Sequence, residues 1–198
     1  MEKIILASAS ERRSRILAEC GISHEVIRTG VKEISGGNMY IADIVCANAE
    51  RKAETVTSDG GSIIIGADTL VLNRGEIIGK PADETEARAV LGRLSGSEAE
   101  VYTGLCVIKD GKRAVDFEKS SLKIVALNEE EIEKIFDLLG PYDKAGGFSI
   151  EGVGSLIFDN IEGSYFNILG LPMIKLGELF KKLGSDLLDH CKPEAPST

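Results

Sequence analysis

The sequence has no tryptophan, only two histidines, and four cysteines that are scattered along its 198 residues. Neither His24 nor His190 stands beside a nucleophile in the sequence, which disfavours a Ser–His or Cys–His hydrolase, although pairing in the folded chain stays open. The cysteines form no CxxC pair, and no histidine accompanies them at metal-ligand spacing. This pattern favours reduced thiols packed as small apolar groups over a zinc site or a disulfide framework.

The chain also lacks long hydrophobic runs and an excess of basic residues. No uninterrupted apolar stretch approaches the roughly 20 residues of a membrane helix, and the run in MEKIILASAS is too short for a signal peptide. We therefore expect a cytoplasmic protein without membrane contact. With 32 acidic and 23 basic residues, the formal net charge is -9, which disfavours binding to nucleic acid. A small anion can still bind where a few cations converge.

The composition is that of a folded protein, with 43% hydrophobic and 28% charged residues. Strand and helix patterns alternate early, and two strand-like stretches, 100–109 and 114–127, then flank a turn. This order predicts an α/β fold with a mixed twisted sheet and flanking helices. We expect a single domain over residues 1–184 and a disordered tail over residues 185–198.

Asp68 lies within an apolar strand pattern, IIIGADTLVL, at residues 63–72. A carboxylate in a strand that is covered on both faces is costly unless it is paired, hydrated or metal-bound. Gly66 would let another group approach the backbone, and the Thr69 hydroxyl could bind a ligand or a water. The alternative is a structural aspartate near the exposed end of the strand.

Two arginines stand where an anion could bind. Arg12 and Arg13 lie in the predicted first turn of the helix that follows the first strand, and Ser8 and Ser10 precede them. A helix N-terminus with hydroxyls and guanidinium groups can bind phosphate, even though the Walker pattern GxxxxGK[ST] is absent. The alternative for both arginines is a solvated charged face.

Three lysines are further candidates for phosphate contacts. Lys80 lies in the Gly-Lys-Pro loop, Lys144 lies in the glycine-rich YDKAGG segment, and Lys52 lies near the end of a predicted helix. Each of them also fits an ordinary surface or helix-end lysine.

Cations around one buried carboxylate are the set that phosphoryl transfer to water requires. The cations and a divalent metal, Mg²⁺ or Mn²⁺, would neutralise and orient a triphosphate. Asp68 would take the proton of the attacking water or bind the metal. Glu33 is a candidate second metal ligand, with an ordinary surface glutamate as the alternative.

A series of short motifs resembles a known family. LASASERRSRIL, ANAERKAE, GADTLV, GKP, RLSGSEAEVYTG, YDKAGGFSIEG and IEGSYFNILGLP occur in this order from about residue 4 to residue 183. They resemble the Maf (septum-formation) family of nucleoside triphosphate pyrophosphatases, and most closely its branch that acts on dTTP and UTP.

This resemblance implies a fold related to the inosine-triphosphatase group, with two lobes around a cleft. It implies hydrolysis of a nucleoside triphosphate to the monophosphate and pyrophosphate with a divalent cation, and it is compatible with a homodimer. It assigns the proton acceptor to Asp68, and phosphate and base contacts to Arg12, Arg13, Lys52 and Lys80.

Two positions depart from the family pattern. Glu151, in SIEG, replaces a usual glutamine, and Ala99 replaces a frequent histidine. An ionised glutamate only accepts hydrogen bonds, whereas a glutamine amide also donates them, so the base preference stays open. The alternative function is a nucleotide-binding regulator, for instance of cell division, with little hydrolysis. An aspartyl-nucleophile phosphatase is disfavoured because the DxDx[TV] motif is missing.

Overall fold

The computed structural model describes residues 2–36, 39–57, 60–139 and 150–193. The strands are β1 Lys3–Ala7, β2 His24–Val26, β3 Ser62–Asn73, β4 Glu76–Ile78, β5 Glu98–Lys109, β6 Lys112–Ile124 and β7 Phe158–Glu162. The helices are α1 Glu11–Glu19, α2 Ile41–Glu54, α3 Glu84–Leu94, α4 Glu129–Leu139, α5 Tyr165–Ile168 and α6 Met173–Lys182, with 3₁₀ segments at Gly152–Ile157 and Leu187–His190. None of the helices in the described ranges is long and apolar enough to cross a membrane.

The strands form one mixed sheet in the order β2-β1-β3-β5-β6-β7, and β4 pairs with β3. Strand β1 runs parallel to β2 and β3, whereas β3, β5, β6 and β7 pair with antiparallel neighbours. The predicted mixed sheet with flanking helices is therefore confirmed, and so is the hairpin that joins β5 to β6.

Strand β3 is apolar along its length because helices cover both of its faces. Ile63 and Ile65 pack into a cluster with Phe180 of helix α6. Ile64, one residue out of phase, packs into a separate cluster with Ala49 of helix α2. Two layers of helices therefore enclose the strand that carries Asp68.

Helix α2 lies unusually close to the sheet because two glycines face it. A Cβ atom on Gly66 of β3 would lie 2.1 Å from the Ala49 carbonyl oxygen. A Cβ atom on Gly104 of β5, which pairs with Asp68, would lie 2.3 Å from the backbone of Val45. No side chain fits in either gap, so the two glycines set the height of α2 above β3.

The chain beyond residue 184 does not match the predicted disordered tail. Residues 187–190 form a 3₁₀ segment in which Leu187 and His190 are buried. The His190 ring packs edge-on against Phe180, and the Lys192 amide donates to the Gly21 carbonyl oxygen at 3.1 Å. The prediction of disorder is therefore wrong for residues 185–193, because these apolar contacts outweigh the polar composition of the segment. Residues 194–198 lie outside the described residues.

Two local features of the helices were not evident from the sequence. Ser10 occupies the N-cap position of α1, but its side chain makes no capping hydrogen bond there. The short helix α5, between β7 and α6, was not predicted, because four residues are too few to show a helical period.

Candidate active site

Strand β3 turns consecutive side chains to opposite sides of the sheet. Asp68 faces helix α2 and accepts hydrogen bonds from Lys52 and Asn48. Thr69 faces the other side and accepts a hydrogen bond from Arg13 of helix α1. The Asp68 residue is only 4% exposed, which confirms the prediction of a buried carboxylate.

Lys52 joins the two carboxylates that the sequence singled out. Its Nζ atom lies 2.6 Å from Asp68 Oδ1 and 2.6 Å from Glu33 Oε1. Burial alone would raise the pKa of Glu33, but the hydrogen bond and the charge of Lys52, with the charges of Lys80 and Arg13, lower that pKa overall. Glu33 is therefore ionised at neutral pH and stays paired with the lysine.

Asn48 binds the second oxygen of the same aspartate. Its Nδ2 atom donates to Asp68 Oδ2 at 2.8 Å and to the Ile34 carbonyl oxygen at 2.9 Å, and its Oδ1 atom accepts from the Ile34 amide at 2.8 Å. We call Glu33, Asn48, Lys52 and Asp68 the acid wall. In this wall, both oxygens of Asp68 have a donor on α2, and the segment that carries Glu33 is bound to the same helix.

The arginines of α1 form the other side of the site. Arg12 Nε donates to the Leu169 carbonyl oxygen at 2.8 Å, and Arg13 Nε donates to the Gly170 carbonyl oxygen at 2.7 Å. Arg13 also donates from Nη1 to Ser8 Oγ at 3.0 Å and from Nη2 to Thr69 Oγ1 at 2.9 Å. We call Ser8, Arg12, Arg13 and Thr69 the arginine wall.

Arg13 is a buried cation that donates to neutral oxygens of Ser8, Thr69 and Gly170. Burial lowers the pKa of Arg13 from its ordinary value, and the negative charge of Asp68 opposes that change. A guanidinium keeps its proton in proteins. Arg13 therefore carries a positive charge that these hydrogen-bond acceptors orient but do not neutralise.

A second layer fixes the carbonyl groups that orient the arginines. Thr69 Oγ1 lies 2.9 Å from Thr103 Oγ1, which donates to the Asn167 carbonyl oxygen at 3.0 Å. The fully buried Asn167 side chain donates to Val101 and Ser120 of strands β5 and β6. Asn167 thereby ties α5, and the Leu169–Gly170 turn that follows it, to the sheet.

The two walls border one cleft of about 1080 Å³. Most of the predicted site residues line it: Ser8, Ser10, Arg12, Arg13, Glu33, Lys52, Asp68, Thr69, Lys80 and Glu151. Lys144, the remaining candidate, lies outside the described residues. The fold therefore brings together nearly all the side chains that the sequence selected, from segments far apart in the chain.

The cleft has a net positive lining although the protein is acidic. Among the lining residues that the structure describes, six basic side chains outnumber four carboxylates by two: Arg12, Arg13, Arg15, Arg28, Lys52 and Lys80 against Glu11, Glu33, Asp68 and Glu151. The charge of the whole chain is -9. The positive charge is thus concentrated where an anionic ligand would bind.

Glu151 lies at the rim of the cleft, where it forms an ion pair with Arg15 of α1. Its side chain is 34% exposed, so solvent screens the pair. An ionised Glu151 accepts hydrogen bonds, and Arg15 donates them, so the rim offers both kinds of group to a ligand.

The acid wall contains two carboxylates, Asp68 and Glu33, that could help to hold a divalent cation. Across the ranges that the structure describes, no three His, Cys, Asp or Glu side chains are grouped as ligands. Mg²⁺ in enzymes usually binds one or two carboxylates, substrate phosphates and waters. A carboxylate has about four lone-pair sites, and the hydrogen bonds from Asn48 and Lys52 use one on each oxygen of Asp68. Asp68 and Glu33 therefore keep capacity for a phosphate-bound cation.

Sequence reasoning missed Asn48, Thr103 and the carbonyl groups of Leu169 and Gly170. Backbone acceptors have no signature in a sequence. Asn48, however, stands four residues before Lys52, which places both on one face of a helix. That spacing, with a poor helix former in mid-helix, was the available signal.

A comparison with protein families decides the relationship. The profile described as Maf-like protein matches residues 3–183. This chain belongs to the Maf-like family. The match covers both walls of the cleft and every strand of the sheet of this Maf-like chain.

Curated relatives align over most of the Maf-like chain. The dTTP/UTP pyrophosphatase of Caldicellulosiruptor saccharolyticus is 40% identical over 195 residues, which cover 95% of this chain and 98% of that protein. The dTTP/UTP pyrophosphatase of Bacillus cereus strain ZK / E33L is 38% identical over 188 residues, with coverage of 94% and 98%.

Solved structures resemble the Maf-like chain only loosely. The Ham1 protein of Staphylococcus aureus aligns with a TM-score of 0.49 at 15% identity, and covers 93% of this chain and 100% of that one. A HAM1 protein of Coxiella burnetii has a TM-score of 0.44 at 17% identity, with coverage of 63% and 73%.

Proposed function

We propose that this chain is a nucleoside triphosphate pyrophosphatase that hydrolyses dTTP and UTP to the monophosphate and pyrophosphate. The observation that carries the proposal is Asp68, a buried carboxylate at the wall of a cleft whose basic side chains exceed its acidic ones. The relatives named dTTP/UTP pyrophosphatase, at about 40% identity over nearly the whole chain, support the same activity.

The arginine wall is suited to binding the triphosphate. Arg13 is oriented by neutral carbonyl and hydroxyl oxygens, so its charge remains available to phosphate oxygens. Arg12, oriented by the Leu169 carbonyl oxygen, lies beside it at the start of the same helix. Lys80, exposed at the cleft after strand β4, is a further cation on the approach to Glu33. Because these positive charges are already in place, they reduce the electrostatic repulsion between the phosphate groups when the triphosphate binds in the cleft.

The acid wall is suited to activating water. Asp68 accepts the proton of a water that attacks the α-phosphorus, and the bond from that phosphorus to the bridging oxygen breaks as pyrophosphate leaves. Lys52 and Asn48 each bind one Asp68 oxygen and so fix the plane of the carboxylate. A remaining lone pair on either oxygen is free to receive the proton.

Glu33 and Asp68 would hold the divalent cation, Mg²⁺ or Mn²⁺. When bound, such a cation supplies neutralisation of phosphate charge. Lys52 lies between both carboxylates and limits their repulsion before the substrate and the cation enter.

The test is a panel of ribo- and deoxyribonucleoside triphosphates with the purified chain and Mg²⁺ or Mn²⁺. The assay quantifies monophosphate, pyrophosphate and orthophosphate separately, with equilibrium binding measured in parallel. We expect equal amounts of monophosphate and pyrophosphate, with the highest kcat/KM for dTTP and UTP. Tight binding without product would instead favour the nucleotide-binding regulator, and orthophosphate as first product would contradict the proposal.

Three further properties belong to the same proposal. We propose that the enzyme works in the cytoplasm, acts also on modified pyrimidine nucleotides, and assembles as a homodimer. Nucleic acid and membranes are not partners in this proposal, because the formal charge of -9 repels both.

A further inference from the structure

Asn48 is a fully buried amide in the middle of helix α2. A buried polar side chain in this position costs stability unless it is hydrogen-bonded. The Asn48 side chain makes three hydrogen bonds to groups outside its own helix, two to Ile34 and one to Asp68. The buried Asn48 side chain therefore connects helix α2 to the segment around Ile34 and to strand β3.

The three bonds determine how the amide is oriented. The Ile34 amide can only donate, so it requires the Asn48 oxygen, which places Nδ2 towards the two acceptors. One Nδ2 hydrogen then binds the Ile34 carbonyl oxygen and the other binds Asp68 Oδ2. If the amide were rotated by half a turn, its oxygen would face two acceptors and all three bonds would be lost.

We infer that Asn48 is a positioning residue that couples the Glu33 segment to the catalytic carboxylate. Ile34 is the direct neighbour of Glu33, so fixing its amide and carbonyl fixes where the Glu33 side chain begins. The same amide sets the rotation of the Asp68 carboxylate through Oδ2. The Asn48 side chain thus fixes the positions of both Glu33 and Asp68 relative to each other. This role rests on the proposed function.

The coupling makes a kinetic prediction with a matched control. We expect Asn48→Ala to lower kcat about 10–100-fold, the usual effect of losing a residue that orients metal or catalytic ligands. KM for UTP should change little, because the arginine wall is untouched. The control is Asn73→Ala, which removes another buried asparagine that binds Ser97 and Glu98 outside the cleft lining. It should lower Tm by a similar amount and leave kcat unchanged.

A second, isosteric variant separates lost contacts from an empty space. Asn48→Leu fills the volume but cannot bind Asp68 or Ile34, so it should show the same split between kcat and KM. The inference is overturned if both Asn48 variants fold and keep the kcat of Asn73→Ala. It is equally overturned if their only effect is a higher KM.

Hydrogen exchange of the unsubstituted protein provides a readout that needs neither activity nor a variant. The Ile34 amide lies in a segment without regular structure, where its hydrogen bond goes to Asn48 Oδ1. We expect residue-resolved exchange to show protection at Ile34 well above that at Glu33 and Ser35. Equal exchange at the three amides would refute the coupling. If the unsubstituted protein released no pyrophosphate while Ile34 was protected, the proposed function would fail and the coupling would stand.

Discussion

The two walls of the cleft use basic residues in opposite ways. In the arginine wall, Arg13 donates to neutral carbonyl and hydroxyl oxygens, which orient the cation and carry no opposite charge, and Arg12 donates to the Leu169 carbonyl oxygen. In the acid wall, Lys52 lies between two carboxylates and its charge is balanced within the protein. The positive charge of the arginine wall is suited to attracting an anionic ligand. In the acid wall, Lys52 holds the Glu33 and Asp68 carboxylates close together in the absence of a ligand.

This difference follows from the alternation of strand β3. Asp68 and Thr69 are adjacent in sequence, yet they point to opposite sides of the sheet and join different walls. A one-residue shift of β3 would exchange the two side chains and dismantle both walls. The ten-residue antiparallel register between β3 and β5 from Ile64 to Asn73 prevents such a shift.

The largest expected effect comes from the acid wall. Asp68→Asn keeps the shape of the side chain but removes the proton acceptor, so kcat should fall by about 10²–10⁴-fold, the usual contribution of a general base. Pyrophosphate release under single-turnover conditions measures the change, and calorimetric titration with UTP tests whether binding persists. Near-normal turnover in Asp68→Asn would end the assignment of Asp68 as the proton acceptor.

Arg13→Lys tests the opposite wall. A lysine keeps the charge but cannot reproduce the fork that reaches Gly170, Ser8 and Thr69 together. We expect KM for UTP to rise and kcat/KM to fall by about 10-fold, equivalent to roughly 1.4 kcal/mol. Steady-state kinetics at two salt concentrations provide the measurement. A decrease in kcat with no change in KM would contradict the assignment of substrate binding to the arginine wall.

Gly66→Ala tests whether the closeness of α2 holds the acid wall together. The added Cβ would lie 2.1 Å from the Ala49 carbonyl oxygen, so the helix must move and take Lys52 and Asn48 with it. We expect a destabilisation of about 1–3 kcal/mol, typical of overpacking, together with a lower kcat.

The matched control for this substitution is Gly92→Ala, in helix α3. A Cβ there meets nothing within 4 Å, so the change should stabilise the protein by about 0.5–1 kcal/mol through helix propensity. Urea denaturation measures both variants. If Gly66→Ala were as stable and as active as Gly92→Ala, the close approach of α2 would not matter.

The smallest expected effect lies at the rim. Glu151→Gln breaks an exposed ion pair with Arg15 and should change stability by only about 0–1 kcal/mol. The new amide can donate to the O4 carbonyl oxygen of uracil, where cytosine has an amine. We therefore expect the ratio of kcat/KM for UTP over CTP to rise. Competition assays with both nucleotides measure that ratio. A ratio that does not change would place Glu151 outside base selection.

Local sequence signals selected three residues, Asp68, Arg12 and Arg13, that the structure brings to one cleft. Asp68 stood out because a charge in an apolar strand is costly, and Arg12 and Arg13 stood out because they begin a helix. Those patterns depend on neighbouring residues, so they are visible without a fold. The mixed sheet was predictable for the same reason, since strand and helix periods are local.

What the sequence could not predict depends on contacts between distant segments. Arg13 is oriented by the Gly170 carbonyl oxygen, 157 positions away in the chain. Every residue has a backbone carbonyl group, so the sequence does not indicate which one acts as the acceptor. Residues 185–193 have a polar, tail-like composition, but Leu187 and His190 find buried places on the core. Asn48 resembled an ordinary polar residue of an amphipathic helix until the fold placed it against Asp68.

The central claim is that Asp68 directs water to the α-phosphorus of a triphosphate lying along the arginine wall. Hydrolysis of UTP in water enriched in oxygen-18, with mass spectrometry of both products, tests this most directly. We expect one oxygen-18 atom in the nucleoside monophosphate and none in the pyrophosphate. Label in pyrophosphate, or in orthophosphate, would show attack at another phosphorus and would contradict it.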